Sequence, residues 1–264
     1  MNIIVCIKQV PGTPEVKINP SDNTLVRTDI PNIINPFDTY AIEEGLRLKE
    51  SFGGRVTVIS MGPPQAVSAL REAIGMGADD GILLSDRVFA GSDTWATAYT
   101  LSLAIKKIET FDIILCGKQA IDGDTGQVGP GIARQLGISQ LTYVFKIRNV
   151  DLTAGTITVD RLLEEGHEIA EARMPAVLTV VKDINQPRLS SLANIRRIRN
   201  IRTQTAGDLT GADSSKMGLN GSPTKVIKIF TPPKREGALQ LIEADDADRA
   251  AEKLADLIMS RKIL

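Results

Sequence analysis

Short apolar runs rich in β-branched residues recur along this chain and alternate with segments of helical pattern. Each run is too short for a helix and is apolar on both faces, which is typical of a parallel strand covered on both sides. Strands that alternate with helices form a doubly wound α/β sheet with right-handed crossovers. We therefore predict a mostly parallel five-stranded sheet built from residues 3–7, 55–61, 82–84, 113–116 and 176–181.

The remaining segments have their own patterns. Alternating runs separated by turn signals over residues 143–174 predict an antiparallel meander. The C-terminal helix carries an apolar stripe but no core of its own, so it needs a surface to pack against. The predicted helices are 39–52 with Asp38 as N-cap, one ending near Met76, one running from about Thr94 to Ile108, 127–136 and 245–259.

The stretch LCGKQAIDGDTGQVGPG, at 115–131, joins a predicted strand to a predicted helix. We expect Asp124 or Thr125 to cap that helix. Backbone N–H groups at a helix start favour a phosphate, and the glycines allow close approach of a ligand. Asp122 and Asp124 repel phosphate, so they are assigned to capping or to ribose hydroxyls. The spacing matches neither well-tested phosphate loop, and an ordinary strand-to-helix turn remains the alternative.

Two further observations bear on this nucleotide hypothesis. If the strand order is 3-2-1-4-5, the chain direction reverses between strands 1 and 4, and the turns after Ile7 and Cys116 flank one crevice. Gly91, Ser92 and Thr94 open another helix and form a second candidate seat for phosphate.

Composition excludes several classes of function. A net charge of −1 and an aromatic content of 4% argue against nucleic-acid binding. Cys6 and Cys116 lie in apolar runs without metal-binding spacing and are expected to be buried thiols, as in a reducing cytoplasm. His167 lies in a polar stretch with no other ligands or nucleophile nearby, so no metal site and no catalytic residue is predicted. The start of the chain lacks the pattern of a signal peptide or membrane span, which predicts a cytoplasmic protein without membrane insertion.

Four stretches together resemble the small (beta) subunit of electron-transfer flavoproteins. They are IVCIKQVP at 4–11, NPFDTYAIEEGLRLKE at 35–50, the GKQAID loop from Gly117, and INQPRLSSLANI at 184–195. The resemblance implies an adenine-nucleotide-binding α/β domain at 1–187, a partner-recognition loop and linker at 188–224, and a C-terminal arm at 225–264 that packs on a larger, FAD-carrying alpha subunit. It also implies that Leu192 anchors the recognition loop on a partner dehydrogenase.

The nucleotide site implied by the resemblance has two parts. The first is Cys6, Asn35, Pro36, Phe37, Asp38 and Met61. The second is the loop Gly117, Lys118, Gln119, Ala120, Ile121, Asp122, Gly123, Asp124, Thr125, Gly126, Gln127 and Val128. The helix start at Gly91, Ser92 and Thr94 is added to the site as the second candidate seat for phosphate, on the pattern of the residues alone. Val128 replaces a threonine of most family members, so the hydroxyl contact to phosphate is missing at this position.

The loop variant and the stretch DRVFAGSDTWATAYTL at 86–101 are similar to the electron-bifurcating branch. That resemblance implies a second FAD in place of AMP, with NADH as hydride donor. One electron then goes to ferredoxin or flavodoxin, and the other goes through the alpha subunit's FAD to a flavin-dependent dehydrogenase, commonly one acting on acyl-CoA. This implies a subunit of an NAD-dependent oxidoreductase complex. The alternatives are an AMP-binding structural subunit of a simple electron carrier and an unrelated nucleotide-binding regulatory module.

Overall fold

The computed structural model describes residues 1–12, 17–18, 25–26, 31–108, 110–196, 201–227, 241–243 and 245–261. The chain divides into two compact units, 1–229 and 230–264. The strands are β1 (Asn2–Ile7), β2 (Gln9–Pro11), β3 (Lys17–Ile18), β4 (Leu25–Val26), β5 (Asn32–Ile34), β6 (Arg55–Met61), β7 (Asp80–Leu84), β8 (Ile113–Gly117), β9 (Ser139–Asp151), β10 (Thr156–Leu163), β11 (Gly166–Arg173), β12 (Ala176–Val180) and β13 (Ile201–Gln204). The helices are α1 (Pro36–Phe52), α2 (Val67–Met76), α3 (Thr94–Lys106), α4 (Val128–Leu136), α5 (Leu192–Ile195) and α6 (Ala247–Ser260).

The first unit is built around one mixed sheet with the order β11-β10-β9-β12-β8-β1-β6-β7-β13. Two further antiparallel pairs, β2 with β5 and β3 with β4, lie outside this sheet. The centre of the mixed sheet, β7-β6-β1-β8-β12, has the 3-2-1-4-5 order considered above, and these strands pair in parallel. β1, β7, β8 and β12 are buried along nearly all of their length, as their apolar runs predict, and β6 is buried from Val58 to Ser60. The doubly wound fold class is therefore confirmed.

The helices cover both faces of this sheet. Alternate residues of β1 point to opposite sides, so Val5 packs with Ile42 of α1 and Leu70 of α2 in one cluster. Ile4 belongs to the other cluster, with the buried side chains of α3 and α4 such as Ile105.

The sheet has nine strands rather than the five predicted. The meander begins at Ser139 instead of residue 143, and β9 pairs in parallel with β12, so the meander extends the main sheet. At the other edge, β13 pairs in parallel with β7. β13 is short and mostly polar, and no local pattern marks it as a strand, because its pairing depends on an edge formed far away in sequence.

The second unit contains α6, predicted at 245–259 and observed at Ala247–Ser260. The Asp246 carboxylate accepts the Arg249 N–H at 2.8 Å and caps the helix start. None of the residues of α6 is buried within the single chain. The predicted extended run at 225–230 lies partly outside the described residues. Across the described residues, no helix combines the length and apolarity that spanning a membrane requires.

Candidate functional site

The carboxyl ends of β1 and β8 lie side by side, and Cys6 is the register partner of Cys116. Consecutive crossovers leave this point in opposite directions, because β6 and β7 lie on one side of β1 and β12 lies beyond β8. Doubly wound sheets bind ligands at such a reversal. The turn after β1 and the loop after β8 therefore lie side by side, as the predicted crevice requires.

The Asn35 side chain holds this loop in place. It is only 1% exposed, its Nδ2 donates to Gln119 O at 2.8 Å, and its Oδ1 accepts the Ile121 N–H at 3.1 Å. Its own N–H donates to Lys8 O at 2.8 Å. Through its side chain and its backbone N–H together, Asn35 therefore joins the start of α1, the turn after β1 and the loop after β8.

Asp38 was predicted to cap α1, and the structure corrects this. The helix begins at Pro36, with Asn35 in the N-cap position, because proline is well suited to the first helical turn. The Asp38 carboxylate instead accepts the N–H groups of Lys8 at 2.7 Å and Gly117 at 3.2 Å. A Cβ at Gly117 would lie 2.3 Å from Asp38 Oδ1, so this approach requires glycine.

Burial of the Asp38 carboxyl raises its pKa to about 7, against the lowering effect of hydrogen bonds from Asn35 and from the backbone of Lys8 and Gly117. The folded protein therefore holds the proton more tightly than the unfolded chain, whose carboxyl has the ordinary pKa of 3.8. Between these two values, stability must fall as pH rises, because the unfolded state releases its proton first.

We expect the free energy of unfolding of the wild-type protein, relative to that of an Asp38→Asn variant, to fall between pH 5 and pH 7. The slope should approach about 1.4 kcal/mol per pH unit and flatten above pH 7, where both states are ionised. Denaturant unfolding of both proteins at pH 5, 6, 7 and 8 measures this difference. A difference that rises with pH would contradict the assignment.

The loop itself is fixed by its acidic residues. Asp122 pairs with Lys8 Nζ at 2.6 Å, and Asp124 accepts a hydrogen bond from Gln119 Nε2. Asp124 also adopts a positive φ of 55°, and its N–H donates to Ala120 O at 2.8 Å. Neither acid caps α4, so that part of the prediction for Asp124 is wrong; their assignment to ribose hydroxyls remains a prediction.

The start of α4 has no side-chain cap. Gln127 occupies the N-cap position and makes no side-chain capping hydrogen bond, and the helix begins at Val128. Thr125, the other predicted cap, accepts a hydrogen bond from Thr94 Oγ1 at 3.1 Å instead. The first-turn N–H groups of α4 therefore lack a protein cap, and two hydroxyls lie beside the loop that precedes them.

The start of α3 is different, because its own Asp93 caps it. That carboxylate accepts the N–H groups of Trp95 at 3.0 Å and Ala96 at 3.1 Å. Ser92 Oγ donates to Phe89 O and accepts the Gly218 N–H. A Cβ at Gly91 would lie 3.2 Å from the Leu219 Cβ. Of the residues of the predicted second seat, only Thr94 reaches the loop after β8.

The remaining predicted residues lie at the strand ends. Cys6 and Cys116 are buried and free, as expected, and a hydrogen bond with Cys6 together with burial raises the pKa of the Cys116 thiol. Met61 ends β6 and is partly exposed. His167 is exposed, and its ring contacts the Phe145 ring in a tilted arrangement with the ring centres 4.5 Å apart. The described residues contain no cluster of candidate metal ligands.

Two residues near the carboxyl ends of the central strands are not among the predicted site residues. Lys8, directly after β1, pairs with Asp122, and its position at the end of a central strand was the available signal. Tyr143 lies in β9 with a positive φ of 58°, and Lys118 Nζ lies 5.1 Å from the centre of its ring. Its place beside the loop follows from the parallel pairing of β9 with β12, which the meander pattern did not indicate.

The predicted anchor, Leu192, opens the short helix α5 and is 78% exposed. The Ser191 hydroxyl caps α5 by accepting the Asn194 N–H at 3.1 Å. Leu192 is therefore presented to solvent, as a contact with another protein requires.

The fold and this arrangement define a doubly wound α/β protein with a candidate ligand site at the reversal of strand order. The electron transfer flavoprotein domain model matches residues 22–212. The chain is 48% identical to the electron transfer flavoprotein subunit beta of Megasphaera elsdenii and 49% identical to that of Thermoanaerobacterium thermosaccharolyticum, over the full length of both chains in each pair. It is 46% identical to protein FixA of Bradyrhizobium diazoefficiens, over 98% of this chain and 91% of the relative. The chain therefore belongs to the electron transfer flavoprotein family, as a beta subunit that pairs with an alpha subunit.

Proposed function

We propose that the crevice binds FAD and that this subunit accepts hydride from NADH in a bifurcating electron-transfer flavoprotein. The observation that carries the proposal is the uncapped start of α4 beside a loop whose backbone Asn35 holds in place. A helix start with free N–H groups and a positive dipole end favours the phosphate of a nucleotide.

The residues present fit such a ligand. The N–H groups of Val128 and Gly129 are the candidate phosphate donors. The hydroxyl of Thr94 is hydrogen-bonded to that of Thr125, in the loop before α4, and both are candidates to replace the hydroxyl that Val128 lacks. The ion pair with Lys8 offsets the negative charge of Asp122, which would otherwise repel a phosphate.

Bound FAD supplies two-electron acceptance and one-electron release, which amino-acid side chains do not provide. The chain's own task is to orient the nucleotide and hold the loop closed over it. We propose that one electron leaves to ferredoxin or flavodoxin, and that the other passes through the alpha subunit's FAD to an acyl-CoA dehydrogenase. The free thiols of Cys6 and Cys116 are consistent with this activity in the cytoplasm.

AMP is the second candidate ligand, and one observation favours it. The Asp93 carboxylate occupies the start of α3, so only the start of α4 remains uncommitted for a phosphate. A single phosphate seat suits a mononucleotide, and the protein would then be a non-bifurcating carrier with a structural nucleotide.

Nucleotide analysis of the purified two-subunit complex separates these candidates. We expect two FAD molecules per heterodimer, from the flavin absorbance and from chromatography of the extracted nucleotides. One FAD with one AMP would overturn the FAD proposal in favour of AMP.

Replacing Gly126 with valine should lower nucleotide content selectively. Gly126 has a φ of 64°, which a β-branched residue strongly disfavours, and its Cα lies on the loop that precedes α4. We expect the flavin content to fall from about two to about one FAD per heterodimer, because only the beta-subunit site is affected. Absorbance of the gel-filtered complex measures this.

A control variant makes this result specific. Gly155→Val imposes the same kind of strain, at a φ of 68°, in the distant turn between β9 and β10, and should keep full flavin content. Equal loss of flavin in Gly155→Val would show that general destabilisation is the cause.

A further inference from the structure

The segment 182–196, which presents Leu192, is held mainly by polar contacts. None of its residues is buried, and Leu189 and Leu192 are 91% and 78% exposed. Beside it lies a pocket of about 460 Å³, lined by residues of α1, α2 and the segment itself, including Arg188 and Asn194. Its apolar packing comes from partly buried side chains such as Ile184, which packs against the core of the first unit. Around Leu192 itself, the contacts of the segment are mostly hydrogen bonds and ion pairs.

Arg188 makes the strongest of these contacts. Its Nε donates to Glu43 Oε2 at 2.8 Å, its Nη2 to Glu43 Oε1 at 3.1 Å, and its backbone N–H to Glu43 Oε2 at 3.1 Å. Its guanidinium also donates to both carboxylate oxygens of Glu50. A planar guanidinium held by two carboxylates of one helix fixes direction as well as distance.

The carboxylates of α1 are suited to this role. Burial on its own would raise the pKa of Glu43, but hydrogen bonds from Arg188 and Arg47 outweigh it and lower the pKa. The hydrogen bond from Arg188 likewise lowers the pKa of Glu50. Both carboxylates are therefore ionised at neutral pH, and Glu43 is a nearly buried charge whose partners cannot be removed without cost.

Helix α2 fixes the other end of the segment. Gly75 O accepts the Ser191 N–H at 2.9 Å and Asn194 Nδ2 at 3.3 Å. A Cβ on Gly75 would lie 2.8 Å from Ser190 Oγ, so the segment touches the helix backbone directly. Leu192 therefore lies between Arg188, which is attached to α1, and Asn194, which is attached to Gly75 of α2.

We propose that Arg188, through the carboxylates of Glu43 and Glu50, positions the segment that presents Leu192 and so determines how tightly the partner dehydrogenase docks. We call Arg188, Glu43 and Glu50 the latch. The proposal rests on the docking role of Leu192. Arg188 is a positioning residue here, because it acts through Leu192.

The test uses the full two-subunit complex and a purified short-chain acyl-CoA dehydrogenase as the probe. Arg188→Met should raise the KM for the dehydrogenase at least about fivefold while kcat and flavin content stay unchanged, since the latch lies away from the crevice. Arg188→Lys, which keeps the charge but loses the planar fork, should give a smaller rise. Gly75→Ala should raise the KM with every ion pair intact.

A double-mutant cycle distinguishes the latch from a general loss of stability, because it compares the effect of Leu192→Ala on docking with and without Arg188. Leu192→Ala should weaken docking clearly in the wild-type background but by less than about twofold in Arg188→Met, because an unpositioned anchor has little left to lose. Independent, multiplying effects would overturn the latch. If Leu192→Ala has no effect in the wild type, the docking role and the latch both fail; if it weakens docking and Arg188→Met does not, only the latch fails.

Discussion

Removing residues 240–264 should separate the two subunits of the complex. The deletion takes away α6, none of whose residues is buried within this chain although Leu254, Leu257 and Ile258 form an apolar stripe. Covering those three side chains with the alpha subunit is worth about 4 to 9 kcal/mol before ordering costs. At about 1.4 kcal/mol per decade, the dissociation constant of the heterodimer should rise by about three to six orders of magnitude. Size-exclusion chromatography across a dilution series measures this.

Point variants identify which face of α6 is responsible. Leu257→Asp places a charge in the apolar stripe and should also release the alpha subunit. Asp256→Ala, on the neighbouring polar surface, is the matched control and should leave the heterodimer intact, since exposed substitutions usually change stability little. A stable, flavin-loaded heterodimer without residues 240–264 would show that the arm is not an interface.

Leu192→Ala should weaken the complex with the dehydrogenase about 5- to 150-fold. The estimate takes the loss of a buried anchor as about 1 to 3 kcal/mol of association, converted at about 1.4 kcal/mol per decade. Exposed apolar side chains are common on protein surfaces, so the estimate depends on Leu192 filling a pocket of the partner. The KM for the dehydrogenase, or titration of the two proteins by calorimetry, gives the change.

The matched control is Leu152→Ala, at an exposed leucine in the turn between β9 and β10. It removes the same side chain from another part of the surface and should leave docking unchanged. NADH oxidation with an artificial acceptor should stay the same in both variants, because Leu192 lies outside the crevice. Undiminished electron transfer in Leu192→Ala would contradict the anchor, and loss of bound nucleotide would make Leu192 structurally necessary.

The central fold could be predicted from the sequence because its signals are local. Buried β-branched runs such as residues 3–7 and 113–116 have one favourable environment, the middle of a covered parallel sheet. Handedness and strand order then place the turn after β1 beside the loop after β8, without knowledge of any side-chain contact. The exposure of Leu192 likewise agrees with its polar and basic surroundings in sequence.

Helix caps were less predictable, because the same side chain can satisfy different backbone groups. Asp38 and Asp124 are both suited to an N-cap, yet Asp38 binds the turn after β1 and Asp124 binds Gln119. Pro36 and Gln127 fix the helix starts around them. Such a choice depends on which partner the fold brings near, and short-range preference is too weak to decide it.

The sequence by itself determined the central strands and, once their order is taken as 3-2-1-4-5, the end of the sheet at which the candidate crevice lies. Only the tertiary structure decided what holds the crevice and the recognition segment in place. Asn35 reaches Gln119 across 84 residues, and Arg188 reaches Glu43 across 145. These contacts leave no local pattern, because their energy comes from removing polar groups from water next to partners that folding alone brings together.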